Sequence, residues 1–392
     1  MNVIFFETNR ESLLPLVFAI PIAKLRVGIT TIEEKWMDFL SVSEENISYQ
    51  TVAYLSKKFK LNTAKENIFI NSAFLPSAEL IDFLKNELQQ NEVLICNDEI
   101  VAAKTSLEIF NSESFENIID ITDFKLLSIH TVTDIFTKNH QAIEQDFKRL
   151  TKNKKSAKAN ESNTLIGDNI FIEEGATING AILNSSLGAI YIGKNAEIME
   201  GSLVRGPFAL CENATLKMGA KIYGATTIGP HSKVGGEVSN SVIQAYSNKG
   251  HDGFLGNSVL GEWCNLGADT NNSNLKNNYG EVKLWNYTSK KLENTGLQFC
   301  GLIMGDHTKC GINTMFNTGT VAGFSANIYG GGFHQKFIPS FSWGDNEKST
   351  TYDLDKAIET AEKVMERRRI PLTKEDKAIF AAIHQQTSEY RK

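Results

Sequence analysis

Between residues 192 and 234 an aliphatic residue recurs at every sixth position: Ile192, Ile198, Val204, Leu210, Leu216, Ile222, Ile228 and Val234. The spacing starts at Ile166, Ile172 and Ile178. It returns at Leu260 and Leu266, and again at Met304, Cys310, Phe316, Ala322 and Ile328. A period of six matches neither an amphipathic helix nor a half-buried strand. It matches a solenoid whose coil is a triangle of three short strands, each pointing one aliphatic side chain into a prism. Glycine or asparagine often follows that residue, as at Gly193, Gly229, Gly261, Gly311 and Asn317, where a tight corner disfavours a Cβ. The expectation is a solenoid of six to eight coils.

The flanks read differently. Residues 1–150 look like an α/β domain. "VIFF" (3–6) is a buried strand, and Thr31 with Glu34 starts a helix through Trp36 and Leu40. Ser77 precedes a helical face of Leu80, Ile81, Leu84 and Leu88, and "EVLIC" and "IVAA" read as strands around a turn. Residues 151–163, "TKNKKSAKANESN", have no large apolar side chain and read as a linker. The solenoid then occupies 164–345, with a polar insertion over 271–300 in which "VKLWNY" before "TSKK" suggests a hairpin. Residues 346–392 return to helix: one stripe runs from Leu354 to Met365, Pro371 ends it, and Thr373 with Asp376 caps a second.

Composition narrows the function classes. A net charge of −6 gives no electrostatic footprint for nucleic acid or an anionic membrane. Five scattered cysteines with no CxxC pair argue for reduced thiols. The opening "MNVIFFETNRES" is not a signal peptide, and no apolar run is long enough to span a membrane. The expected location is cytoplasmic.

"KGHDGFLGNSVLGEWCNLGADT" (249–270) lies where the rhythm breaks, and His251 projects from that break. A catalyst on a solenoid has to leave the coil edge to reach a substrate outside it. Acyl transfer to an amine needs a base to take a proton as nitrogen attacks the thioester, a task suited to imidazole. His231, His251, His307 and His334 contain no His-x4-His pair for a zinc site. Arg205, in "VRGP", is a candidate phosphate ligand.

The hexad block resembles the left-handed parallel β-helix of hexapeptide-repeat acyltransferases. It is most similar to bifunctional enzymes of UDP-N-acetylglucosamine synthesis, which join a sugar nucleotidyltransferase domain to an acetyltransferase β-helix. On this resemblance His251 takes the general-base position, and Phe254 stands where a substrate-facing tyrosine is usual. Lys249, Asn278 and Tyr279 fall among substrate-binding positions. "MGDHTKCGINTMFNTGTVAGFSANIYGGG" (304–332) looks like the coils against which acetyl-coenzyme A lies. That places Ile312 and Gly330 beside the cofactor, with Lys336 near its phosphates. The family's second cationic phosphate contact would fall near Asn240 or Ser241, where no lysine stands. The resemblance further implies a homotrimer with sites between subunits and a small-molecule amino sugar or sugar phosphate as substrate.

"SLLPLVFAIPIAKLRVGITTIEEKW" (12–36) is similar to the nucleotidyltransferase stretch, in the group with a shortened domain. It lacks the glycine-rich loop, and Ile22 replaces the phosphate-binding lysine after Pro21. The nucleotidyltransferase half is therefore expected to be weak or inactive, with Mg2+ involved only if it is active. Three readings stand: an acetyl-CoA-dependent N-acetyltransferase, an active bifunctional nucleotidyltransferase/acetyltransferase of nucleotide-sugar synthesis, and a non-catalytic trimeric scaffold.

Overall fold

The computed structural model describes residues 1–345 and 347–391; Asn346, at the expected start of the C-terminal segment, and Lys392 lie outside the described residues. The chain forms two compact units. One comprises Met1–Arg10, Ile20–Leu25 and Thr30–His130; the other comprises Glu11–Ala19, Arg26–Ile29 and Thr131–Lys392.

The first unit is built on a six-stranded sheet. Its strands are β1 (Asn2–Phe6), β2 (Ile47–Gln50), β3 (Asn67–Asn71), β4 (Glu92–Cys96), β5 (Glu99–Thr105) and β6 (Asn117–Asp120), in the order β2-β1-β3-β5-β4-β6. β1 lies parallel to both neighbours, and β5 runs antiparallel to β3 and β4. β3 is buried along its whole length, as a central strand covered on both faces should be. Helix α1 (Ile32–Leu40) starts with the capping box of Thr31 and Glu34, so two orphan backbone donors are satisfied reciprocally. Trp36 is fully buried and donates its indole N–H to the Phe74 carbonyl. Helices α2 (Ala78–Asn86) and α3 (Leu107–Ser112) follow Ser77 and Ser106 caps. Phe110 of α3 stacks on Phe69 at 4.0 Å.

The second unit is a three-faced parallel β-solenoid. The first face stacks six strands, from Thr164–Ile166 to Phe254–Gly256. The second stacks nine, from Ile170–Ile172 to Phe337–Ile338. The third stacks ten, of which the last, Thr350–Thr351, runs antiparallel. The prism is thus longer than six to eight coils. The missed coils depart from the strict hexad: the second-face core residues Ile228, Ile243 and Leu260 are paired across successive coils although 15 and 17 residues apart. Their shared interior is one continuous aliphatic core from Ile172 to Ile338.

The register also corrects the reading that the rhythm breaks at His251. Lys249 pairs with Val234 and fills the aliphatic slot of its coil. It is 2% exposed; its four-carbon stem packs like an aliphatic residue while the ammonium reaches the His251 carbonyl.

Other elements of this unit clothe the prism. Helices α4 (Val132–Thr137) and α5 (Asn139–Thr151) lead into the solenoid. The Asn139 amide bonds to Ala225 O, Thr227 and Gly28 N, and Ile143 clusters with Ile29 and Ala209, so the second face is covered by the unit's own chain. Residues 156–163 hydrogen-bond onto the first coil, Ala157 N to Ile172 O and Asn160 Nδ2 to Ile178 O. Lys283–Asn286 and Lys291–Asn294 pair as an antiparallel hairpin within 271–300. The chain ends in α6 (Leu354–Glu366) and α7 (Lys374–Gln386), the latter capped by Thr373 and Asp376. The first face differs: it exposes Ile166, Ile182, Leu203 and Tyr223, each at least 40% accessible.

Candidate active site

The corner between the second and third faces places one residue per coil in the left-handed backbone region. These are Asn195, Asn213, His231, Tyr246, Trp263, His307, Ser325 and Phe341, with φ between 51° and 60°. That conformation suits asparagine and strains bulky residues. Here the rings stack: His231 on Tyr246 at 4.9 Å, Tyr246 on Trp263 at 4.2 Å, and Trp263 towards His307 at 6.2 Å. Phe380 of α7 meets His307 at 5.0 Å, and Arg368, just past α6, donates to the His231 carbonyl. Burial, then the Arg368 charge, holds the His231 imidazole below its ordinary range.

The next corner, between the third and first faces, carries His251. It is exposed and lines a cleft of about 360 Å³ with Lys217, Lys233, Tyr246, Asn248, Gly250, Trp263, Asn265, Leu266, Val364, Arg367 and Arg368. Asn248 and Asn265 occupy the same position on successive coils, and the Asn248 Oδ1 is buried without a hydrogen-bond partner. Beneath the corner, the Lys249 ammonium lies 2.5 Å from the His251 carbonyl. Burial pushes it down to about 8 although Asp252 and Asp269 pull upward. Lys249 therefore holds the backbone of the His251 turn instead of facing solvent.

Of the anticipated residues, only His251 lines this cleft. Phe254 continues onto the first face, its N–H bonded to Asn271 Oδ1. Arg205 lies on the same face three coils away, beside Asn184, Lys221 and Tyr223. Asn278 and Tyr279 sit together in an exposed turn of the insertion, where Asn278 Oδ1 accepts from Gly280 N. Ile312 and Gly330 stack on adjacent coils after the paired Cys310 and Ile328, with Ile312 70% exposed. Lys336 is half-buried, and burial, followed by the Lys276 charge, lowers its pKa. The cations of the cleft went unnoticed because they come from two third-face coils and from α6, up to 151 positions apart in sequence.

In the first unit the loop after β1 is already filled. Glu7 is almost buried and accepts from Arg10, Ile22 N and Thr51, while Thr8 and Asn71 donate to Glu99. A glycine loop would present backbone donors there; a carboxylate presents only acceptors. Among the described residues no group of three His, Cys, Asp or Glu side chains could hold a metal ion.

The molecule thus joins an α/β unit to a hexad-built parallel solenoid with one histidine-bearing cleft. Residues 3–155 match the family model described as sugar nucleotidyl transferase. The chain is 33% identical over 146 residues to a bifunctional sugar-1-phosphate nucleotidylyltransferase/acetyltransferase of Sulfurisphaera tokodaii, covering 37% of this chain and 36% of the relative. It is 37% identical over 87 residues to the bifunctional protein GlmU of Methanocaldococcus jannaschii, covering 22% and 21%. The chain thus spans about a third and a fifth of these relatives' lengths. Among solved structures it is similar to the UDP-N-acetylglucosamine acyltransferase of Francisella novicida, at 14% identity and a TM-score of 0.32, over 59% of this chain and 78% of that one.

Proposed function

We propose that the protein is an acetyl-CoA-dependent N-acetyltransferase acting on an amino sugar or a sugar (nucleotide) phosphate in the cytoplasm, with His251 as general base. The observation that carries this is the position of His251: on a coil corner, its carbonyl tied to Lys249, in a cleft that a small ligand can enter. Neutral imidazole takes a proton from the acceptor amine as nitrogen attacks the thioester carbonyl. Collapse of the tetrahedral species breaks the C–S bond, and the departing sulfur takes up a proton. No covalent enzyme intermediate is needed. Ile312 and Gly330, stacked and adjacent, are the residues proposed beside acetyl-CoA, with Lys336 towards its phosphates. Phe254, Arg205, Lys249, Asn278 and Tyr279 remain the proposed acceptor-side residues, Lys249 acting through the backbone. None of them except His251 lines the cleft. The apolar side chains exposed on the first face support a homotrimer in which a second copy closes the site.

The loop after β1 supports a nucleotidyltransferase-like unit that does not turn over, because Glu7 occupies the place of a phosphate cradle. The names of the relatives favour the active bifunctional reading. Release of pyrophosphate from UTP or dTTP with sugar 1-phosphates would establish that second reading. For acetyl transfer the test is thiol release from acetyl-CoA across a panel of amino sugars. Failure with every amine, together with no rise in melting temperature on adding acetyl-CoA, would leave only the scaffold.

A further inference from the structure

The protein carries a net charge of −6, yet the His251 cleft is lined by four cations, Lys217, Lys233, Arg367 and Arg368, and by no carboxylate among the described residues. Two come from successive third-face coils and two from the end of α6. Lys217, Lys233 and Arg367 make no ion pair among the described residues; Arg368 spends one N–H on the His231 carbonyl. Holding four like charges in one concavity without counter-ions is unfavourable unless an anion is taken there. The rest of the lining suits a sugar-sized ligand. Tyr246 and Trp263 stack at 4.2 Å to form a flat aromatic wall, and Asn248 offers a buried oxygen that nothing in the protein bonds.

We infer that this cleft is a phosphate-binding subsite for the acceptor, so that the sugar reaches His251 as a phosphate ester. The assignment to the acceptor rests on the acetyl-transfer reading, because the base has to touch the amine; the binding of an anion does not. Guanidinium and ammonium donors make short, charge-assisted hydrogen bonds to phosphate oxygens, and Arg367 with Arg368 can do so bidentately. The same geometry explains why no lysine is needed at Asn240 or Ser241: the anionic handle lies on the third face instead of the first.

The test is calorimetric titration of the full-length protein with inorganic pyrophosphate. We expect binding that weakens as salt rises. Lys217→Gln with Lys233→Gln should raise the dissociation constant at least tenfold, and the Arg pair at these positions should restore it. Arg367→Gln, on a separate element, gives the same reading should the lysine pair not fold. No binding, or binding indifferent to all of these changes, overturns the subsite. Glucosamine 1-phosphate or 6-phosphate should displace pyrophosphate while glucosamine does not. Displacement by coenzyme A or dephospho-coenzyme A would overturn the assignment to the acceptor, coenzyme A alone pointing to the 3′-phosphate of the donor. If pyrophosphate binds but no amine supports thiol release, it is the acetyl-transfer reading that fails.

Discussion

Two polar clusters of this molecule look alike in composition and are opposite in state. After β1, Glu7, Arg10, Thr51, Thr8, Asn71 and Glu99 are bonded to one another and to nearby backbone. In the His251 cleft, Lys217, Lys233 and Arg367 have no counter-ion among the described residues, and Asn248 Oδ1 has no partner. A polar cluster whose members satisfy each other is a structural device; breaking it leaves orphans and adds no new ligand. A cluster of like charges that leaves its groups unsatisfied has capacity for a ligand. The fold retained by the first unit is therefore poor evidence of retained chemistry, whereas the cleft on the solenoid is where binding should be measured.

The sharpest way to break this comparison is His251→Ala. As general base its loss should lower turnover by roughly 10²–10⁴. Because the side chain is exposed, thermal stability and pyrophosphate affinity should stay close to wild type. Full turnover in this variant makes the histidine a loop residue. Loss of folding makes it a packing residue, and either result removes the base assignment.

Glu7→Ala tests the other side. Glu7 and Arg10 are each less than a tenth exposed, so truncation strands a nearly buried guanidinium and the Ile22 N–H. Breaking such a pair costs about 3 kcal/mol, readable as a lower urea midpoint. Thiol release by the folded fraction should not change, and UTP should gain no affinity. A variant that is as stable as wild type and binds UTP would show that the loop was a masked nucleotide site.

How much of this was legible in the sequence follows from the range of each signal. The hexad is local and repeated, and so were the Thr31, Ser77 and Thr373 caps, each read from residues three apart. The coils from 228 to 260 were harder, because shortening a corner by a residue shifts the phase while preserving the register. Lys249 in an aliphatic slot then made the pattern look broken beside His251. The aromatic ladder of His231, Tyr246, Trp263 and His307 has no fixed spacing, so only three-dimensional stacking shows it as one object. Similarly, the cations of the cleft meet across more than a hundred residues of chain, beyond any motif.

The smallest expected effect concerns Lys249, which shares features of both clusters: it is buried like the first and lacks a carboxylate within salt-bridge distance like the second. Its pKa lies at about 8 in the folded protein, below the ordinary 10.5, mainly through burial. Between those two values the unfolded chain binds more protons than the folded one, so stability rises with pH across that window. Below about 8 both states are protonated and the penalty is complete; above 10.5 both are neutral and it is gone. Lys309 is shifted the same way, so the measurement has to be a difference between wild type and Lys249→Leu. Leucine suits the aliphatic slot paired with Val234. The variant should gain roughly 1–3 kcal/mol at pH 7 and lose that advantage as pH approaches 10.5. The His251 carbonyl loses its donor at the same time, so turnover should fall a few-fold while pyrophosphate binding persists. A gain that does not vary with pH would mean that the ammonium is solvated in the folded state. In that case the lysine does not restrain the His251 turn, and the fall in turnover should vanish with it.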